Sequence, residues 1–547
     1  KTMPEETRVP LIVRWDGFPA RAVSQPVSLL DLYSTCAGLF GFDPPFGSIG
    51  QSLVPLLRGG EARAQGAAAN VTLTVAIFAD PLTFDPHLTG NLQGRGACRA
   101  IHDTLFTVGA DGRLAPGLAE SWERPDDKSF VIKLRRGVRF HDGTALDAEA
   151  VRFNIARIFD RSLGSIRPGE ISALDRVEVV DSHTVRMTLK YPFAAFLFPF
   201  TDVTGCIASP AALQQHGRDY GLRPSGTGPF KLVEYLKDAR TVLEKNPDYW
   251  QADKPSLQRV VLRPIPVDST RLAELRSGGV QIAEALPLQD IRRLRTGRDF
   301  VVSERVGFRW EYFGFNLRDI HPSRAKAFRQ AFQWGIDREA LHQVAYFGTG
   351  GIGFDGILPG SPFHDADYKP FRRDVDRAKR LIAESGISTP VSITGPLQPD
   401  PVKQRAAQIF QANAAELGVQ LRIEQLDSAG YRTQLANGTM PIDLQGWWGY
   451  RPDPDQYLFI LLHSTGSYAQ YHGYSNPRMD ELLMAQRTSG DEAQRRRIFR
   501  QISDLMNEDA VYVPWHYSSD FKGLHPRVRG FVHAPDGIMD YRPITLA

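Results

Sequence analysis

The sequence lacks most of the features that announce a function. Its 547 residues hold three cysteines, Cys36, Cys98 and Cys206. They lack the CxxC or Cys/His spacing of a zinc site, and their odd number excludes a fully paired disulfide framework. They read as buried, inert thiols. No run of about 18 apolar residues is present, so no segment is expected to cross a bilayer as a helix. The longest apolar stretch, YPFAAFLFPF at 191–200, contains two prolines and reads as a buried strand and turn. An excess of one charge is missing too. The net charge is +3 and the Lys and Arg residues are scattered, which gives no basic face for nucleic acid.

Catalytic signatures are also lacking: there is no GxSxG, HExxH, Walker A loop or GxGxxG after a strand. GTGG at 348–351 has no Lys-Ser/Thr and reads as a turn. His141 and Asp142 in FHDGT are neighbours on an extended segment, where adjacent side chains point to opposite faces, so they form no dyad. No catalytic residue, metal ligand or cofactor is assigned, and no enzyme activity is expected.

What is there is patterned α/β sequence in a chain too long for one core, so two or three compact units are expected. LLRGGEARAQGAAAN at 56–70 reads as a linker. Directly after it VTLTVAIF alternates, with Val71, Leu73, Val75 and Ile77 on one face of a strand that opens a new domain. RVEVVDSHTVRMTLKYPF reads as two strands joined at Asp181-Ser182-His183. DVDRAKRLIAESG offers Asp374 as N-cap and Gly386 as the stop of a helix. A second helix runs from about Pro401 to Leu417, ends at Gly418 and leads into a strand with Val419, Leu421 and Ile423 on one face. Helix, glycine and strand in succession are the αβ half of a crossover unit. No start of basic residues followed by a short apolar stretch marks an export signal, although ARAQGAAA resembles either the cleavage end of one or a flexible linker.

Residues 6–59, which contain RVPLIVRWDG, DLYSTCAGLFG and GQSLVPLLRG, resemble the final part of a sulfatase catalytic domain. Such an enzyme needs a Cys/Ser-x-Pro-x-Arg nucleophile motif and Asp, Asn and His ligands for calcium, and neither is present. Five blocks further on carry a different resemblance. They are GRLAPGLAESWERPDDKSFVIKLRRGVRFHDGTALDAEAVRFNIARI at 112–158, PSGTGPFKLVEY, NPDYW, FRQAFQWGIDREAL and DVDRAKRLIAESGI. In this order they are similar to the family 5 extracellular solute-binding proteins of ABC importers, over about 71–545.

The resemblance implies an α/β, two-lobed periplasmic-binding-protein-like fold with mixed sheets and an inter-lobe ligand cleft. Residues 71–313 would form lobe I with an inserted subdomain, completed by 510–547, and 314–509 would form lobe II; residues 1–66 stay apart as a sulfatase-like remnant and linker. It implies a monomeric, extracytoplasmic protein, periplasmic or at the cell surface. That protein would capture a small organic solute, peptide-like or other, and deliver it to a membrane permease. A sulfatase-type hydrolase is the alternative, disfavoured by the missing nucleophile and ligands. A sensor built on the same fold would need a further domain, and none is visible.

Closure of two lobes on a solute favours charged or aromatic contacts on loops. In relatives the loop after the first strand's Asp-Pro touches the solute, which points to His87, Thr89, Gly90 and Asn91; ordinary loop capping explains them equally. Arg309 and Trp310 precede the strand into the second lobe and face either the cleft or a core. In peptide-binding relatives an Asp in the block matching WWGYRPDPD holds the peptide ammonium. Aligning Gly446, Trp447, Gly449, Asp453 and Pro454 with that block puts Tyr450 at the anchor position, followed by Arg451. A phenol does not neutralise an ammonium ion and a guanidinium repels it, so the stretch suits a carboxylate, a phosphate or a sugar hydroxyl. Asp453 or Asp455 would recover the peptide role if the loop shifts. Trp447 is expected to pack as scaffold, and Trp448, Tyr450 and Arg451 to form the cleft wall, with Asp453 a further contact.

Overall fold

The computed structural model describes residues 11–13 and 21–23, and 71–547 without Ala110, Asp319, Ile320, Tyr450 and Pro535. The chain divides into two units at Asn70/Val71. In the first, β1 (Leu11–Val13) and β2 (Arg21–Val23) pair antiparallel, with Ile12 opposite Ala22. The rest of the sulfatase-like stretch, the linker and Cys36 lie outside the described residues.

In the second unit β3 (Thr72–Ile77) buries Leu73, Val75 and Ile77, the alternation its sequence predicts. A short hairpin of β4 (Phe106–Val108) and β5 (Leu114–Pro116) follows. Next, β6 (Ala119–Asp126), β7 (Ser129–Leu134), β8 (Leu174–Asp181) and β9 (Thr184–Leu189) form an antiparallel sheet ordered β6-β7-β9-β8. The β8–β9 turn is the expected one, and the Asp181 carboxylate accepts the His183 N–H at 2.8 Å. Helix Ala148–Ile158 starts where Asp147 accepts the N–H of Ala150. Helix and sheet share a core that includes Ile132, Val151, Val185 and Phe196.

The stretch YPFAAFLFPF is a correction. It forms turns and the 3-10 turn Phe198–Thr201, not a strand. Pro192 and Pro199 have no N–H to give a ladder. Its apolar character is spent instead on filling the core with Phe193, Phe196 and Phe200.

The remaining strands build one large sheet. β10 (Phe230–Leu236), β11 (Arg240–Lys245), β12 (Arg259–Pro264) and β13 (Ile282–Glu284) precede the 15-residue β14 (Val301–Phe315) and the short β15 (Gly351–Ile352). After β15 the chain forms helix Val375–Glu384, capped by Asp374, and then β16 (Val391–Leu397). Helix Pro401–Glu416 crosses over to β17 (Val419–Gln425), which lies parallel to β16, as the crossover pattern predicts. β18 (Ile442–Trp448) and β19 (Tyr512–Leu524) complete the large sheet in the order β10-β11-β12-β3-β13-β19-β14-β18, with β15 on β19.

The β14–β19 ribbon links two cores. Near Val302 and Phe521 it packs with Leu275, Leu286 and Phe300. Further along, Phe313, Phe315, Val513 and Trp515 belong to a core with Phe332, Phe410 and Leu444. Between these ends the register slips from Val306 to Arg309, a bulge that puts Gly307 at φ +83. A Cβ on Gly307 would stand 2.5 Å from Cδ of Pro359, so neither its backbone nor its surroundings suit a larger residue.

Candidate functional site

A cavity of about 400 Å³ opens beside the end of β18. One wall carries Arg95, from helix Leu92–Ile101, and Glu170, from the 3-10 turn Pro168–Ile171. The facing wall carries Tyr431 and Arg432 of helix Ser428–Asn437 and the β18 residues Gln445 to Trp448. Arg451, Gln456 and Tyr457 close it around the start of helix Asp455–Leu462.

Strand pairing sets the β18 side. Arg309 lies opposite Trp448, Trp310 opposite Trp447 and Glu311 opposite Gly446. Directly opposed residues share a face and successive ones alternate. Trp448 therefore receives the Arg309 guanidinium over its ring, 4.9 Å from the centroid. Trp447 turns to the other face and meets Tyr468 edge-on at 5.2 Å. Gly446 leaves the room that Arg309 and Glu311 need: a Cβ there would fall 2.2 Å from Arg309 Nε and 2.3 Å from Glu311 Oε2.

Electrostatics join the two walls. Arg451 donates to Glu170 across the cavity and to Gln456 on its own side. Glu170 also accepts from Arg167 at 2.8 Å and from the Thr204 hydroxyl at 2.5 Å. Burial pushes the Glu170 carboxyl upward, but Arg451, Arg167 and Arg95 outweigh it and hold its pKa down to about 2. Arg95 pairs with Asp202. The Arg451 Nε, buried, has no hydrogen-bond partner. Burial raises the Tyr431 and Tyr457 phenols well above their usual range, so both keep their protons as donors.

The residues singled out from sequence are placed unevenly about this cavity. Trp448 and Arg451 line it, and Trp447 joins them; Tyr450 lies outside the described residues. Arg309 stands behind Trp448, in an ion pair with Glu311 at 3.2 Å. Trp310 is fully buried, 4.5 Å from Tyr312 and 6.2 Å from Tyr512 between ring centroids, so it belongs to the core. Asp453 is held by two hydrogen bonds from Arg495, at 2.7 and 2.9 Å, and caps the N–H of Asp455. Asp455 in turn is bound by Arg487 at 2.8 and 3.1 Å.

The loop 87–91 lies behind the opposite wall. His87 is buried beside Asp85 and Arg157, and burial is the main cause that lowers its pKa to about 3, so it is neutral. The Thr89 carbonyl accepts from Arg167. Gly90 is exposed. Asn91 caps the helix that bears Arg95, accepting from the Gly94 N–H at 2.9 Å. The loop caps the helix of Arg95 and braces Arg167, and none of its four predicted residues is among those that line the cavity.

Sequence reasoning missed Arg95, Arg167, Glu170, Tyr431 and Arg432. Glu170 and Arg451 are 281 positions apart, and no local pattern couples them. Arg432 alone had a signal, as a charged residue in the first turns of a helix capped by Asp427.

The family model of bacterial extracellular solute-binding proteins, family 5 Middle, matches residues 113–469. The glutathione-binding protein GsiB of Pectobacterium atrosepticum is 27% identical over 484 residues, covering 86% of this chain and 93% of the relative. Among solved structures, DppA from Helicobacter pylori in complex with the peptide STSA superposes with a TM-score of 0.75 at 25% identity, over 87% of this chain and 98% of that one. AgaA from A. tumefaciens R10, in complex with agropinic acid, gives a TM-score of 0.75 at 25% identity, over 87% and 99%.

Proposed function

The chain belongs to the bacterial extracellular solute-binding proteins of family 5, and from that premise we propose that it captures a small organic solute between Glu170 and Trp448. It hands that solute to the membrane permease of an ABC importer. The two lobes meet within the β14–β19 ribbon near its bulge. The protein works outside the cytoplasmic membrane, in the periplasm or at the cell surface, as a monomer that binds without chemical conversion.

One observation carries the reading: a buried ion pair, Arg451 with Glu170, joins the two walls of a cavity large enough for a small molecule. A solute that touches both walls gains affinity for the closed form and so shifts the population toward it. Trp448 and Arg451 are the contacts we propose from the sequence-derived set. His87, Thr89, Asn91, Arg309, Trp310 and Asp453 act as their support. The similar proteins are tied by name to glutathione, a peptide and agropinic acid, so the solute is peptide-like or another small molecule of that size.

Native mass spectrometry of the purified full chain tests this. The expected result is one co-purified small molecule, whose removal and return raise and lower the radius of gyration in solution scattering. A cavity that stays empty and a scattering profile that no solute changes would refute solute capture.

A further inference from the structure

The cavity walls contain an unbalanced charge. Arg95, Arg167 and Arg451 are 5%, 3% and 6% exposed, so water screens none of them well. They face Glu170 and Asp202, whose side chains are 11% and 2% exposed. Three guanidiniums against two carboxylates leave one positive charge in excess. Four neighbouring acids are committed to other guanidiniums, and the buried Asp443 near Tyr431 is bonded to His472 and does not line the cavity. Asp85 is held by Arg157, Asp453 by Arg495, Asp455 by Arg487 and Glu311 by Arg309. His87 adds no charge, being neutral. Exposed Arg432 adds a further positive charge on the facing wall. Among the described residues lining the cavity, Glu170 is the one carboxylate, and it is already shared by Arg451 and Arg167.

We propose that the solute is a net anion, and that one of its carboxylates supplies the missing counter-charge between Arg451 and Arg432. This rests on the reading of the cavity as the solute site, and deepens it by naming the charge class. Arg451 and Arg167 share one carboxylate, so a second carboxylate placed there adds charge-assisted hydrogen bonds and favours an anionic occupant over a neutral one. The unpartnered Nε of Arg451 and the protonated phenols of Tyr431 and Tyr457 are donors suited to carboxylate oxygens. A free ammonium group meets no uncommitted acid among the described lining residues, so the solute does not depend on one. Trp448 offers an apolar face to the remainder of the molecule.

The test splits the small-molecule fraction of a bacterial extract on an anion exchanger and adds each part to solute-stripped full-length protein in a thermal-shift assay. The retained, anionic part is expected to raise the melting temperature and the flow-through to leave it unchanged. Affinity for the purified active component is expected to fall about three-fold in Arg432→Gln, an exposed site that does not threaten folding. It falls about thirty-fold or more in Arg451→Gln. Stabilisation by the neutral and cationic flow-through would overturn the proposal while leaving solute capture intact. So would an anionic ligand whose affinity neither variant changes. Stabilisation by neither part would defeat solute capture itself, and the anion proposal with it.

Discussion

Replacing Glu170 by Gln removes one carboxylate and leaves its shape. Three guanidiniums then face Asp202 alone. The wild-type carboxyl titrates at about 2 in the folded protein against an ordinary 4.5. At about 1.4 kcal/mol per pH unit, this difference is worth about 3 kcal/mol of stability at pH 7. The side chain is 11% exposed, so solvent screening reduces this little. The sign follows from a depressed carboxyl: the contribution is complete above pH 4.5 and is lost as pH falls toward 2. It therefore shrinks to about 2 kcal/mol at pH 3.5. Urea unfolding of solute-free protein, followed by tryptophan fluorescence, measures the gap between wild type and variant at both pH values. A gap under about 1 kcal/mol at pH 7, the size expected of a surface ion pair, would refute the buried-cluster argument. So would a gap that does not narrow at pH 3.5.

Other perturbations separate support from contact. Asp453→Asn strands the buried Arg495 guanidinium and should cost about 3–5 kcal/mol, whereas Asp365→Asn, in an exposed pair with Arg500, should cost under about 1 kcal/mol in the same urea titration. Trp310→Ala should lose about 3–5 kcal/mol of stability from the core. Trp448→Ala, at a residue 37% exposed, should hardly change stability yet weaken solute binding about ten-fold by calorimetry; equal effects of the two on affinity would contradict their assignment. Gly307→Ala should cost about 1–3 kcal/mol, because φ +83 and the nearby Pro359 both resist a side chain. A Gly307→Ala protein with an unchanged melting temperature would mean that the bulge is not held as described.

The sequence made the local elements legible where short-range chemistry decides them. Asp181 to His183 turns a hairpin because an Asp side chain can accept a backbone N–H two residues on. Asp374 and Asp400 start their helices by the same kind of bond. Period alone could not settle YPFAAFLFPF, since a buried strand and an aromatic turn bury the same residues. The cavity was half legible. WWGYRPDPD supplied Trp448 and Arg451, but adjacent tryptophans on a strand face opposite ways, and only the pairing with β14 says which meets Arg309. Asp453 resembled a free anchor in sequence because its partner Arg495 stands 42 positions away on another helix. The charge excess was invisible for the same reason: it is a sum over residues from 95 to 451.

The β14–β19 ribbon bears on selection as well as architecture. Apparent affinity is the intrinsic affinity scaled by the fraction of molecules already in the competent shape. If the lobes meet at the bulge as proposed, a residue there such as Gly307 would retune how much solute is needed without altering which solute is chosen. On the proposed reading, two dials would be separated in space: identity read at the Arg451 wall, and threshold set in the strands. A lineage adapting to scarcer supply could change the second and leave the first untouched.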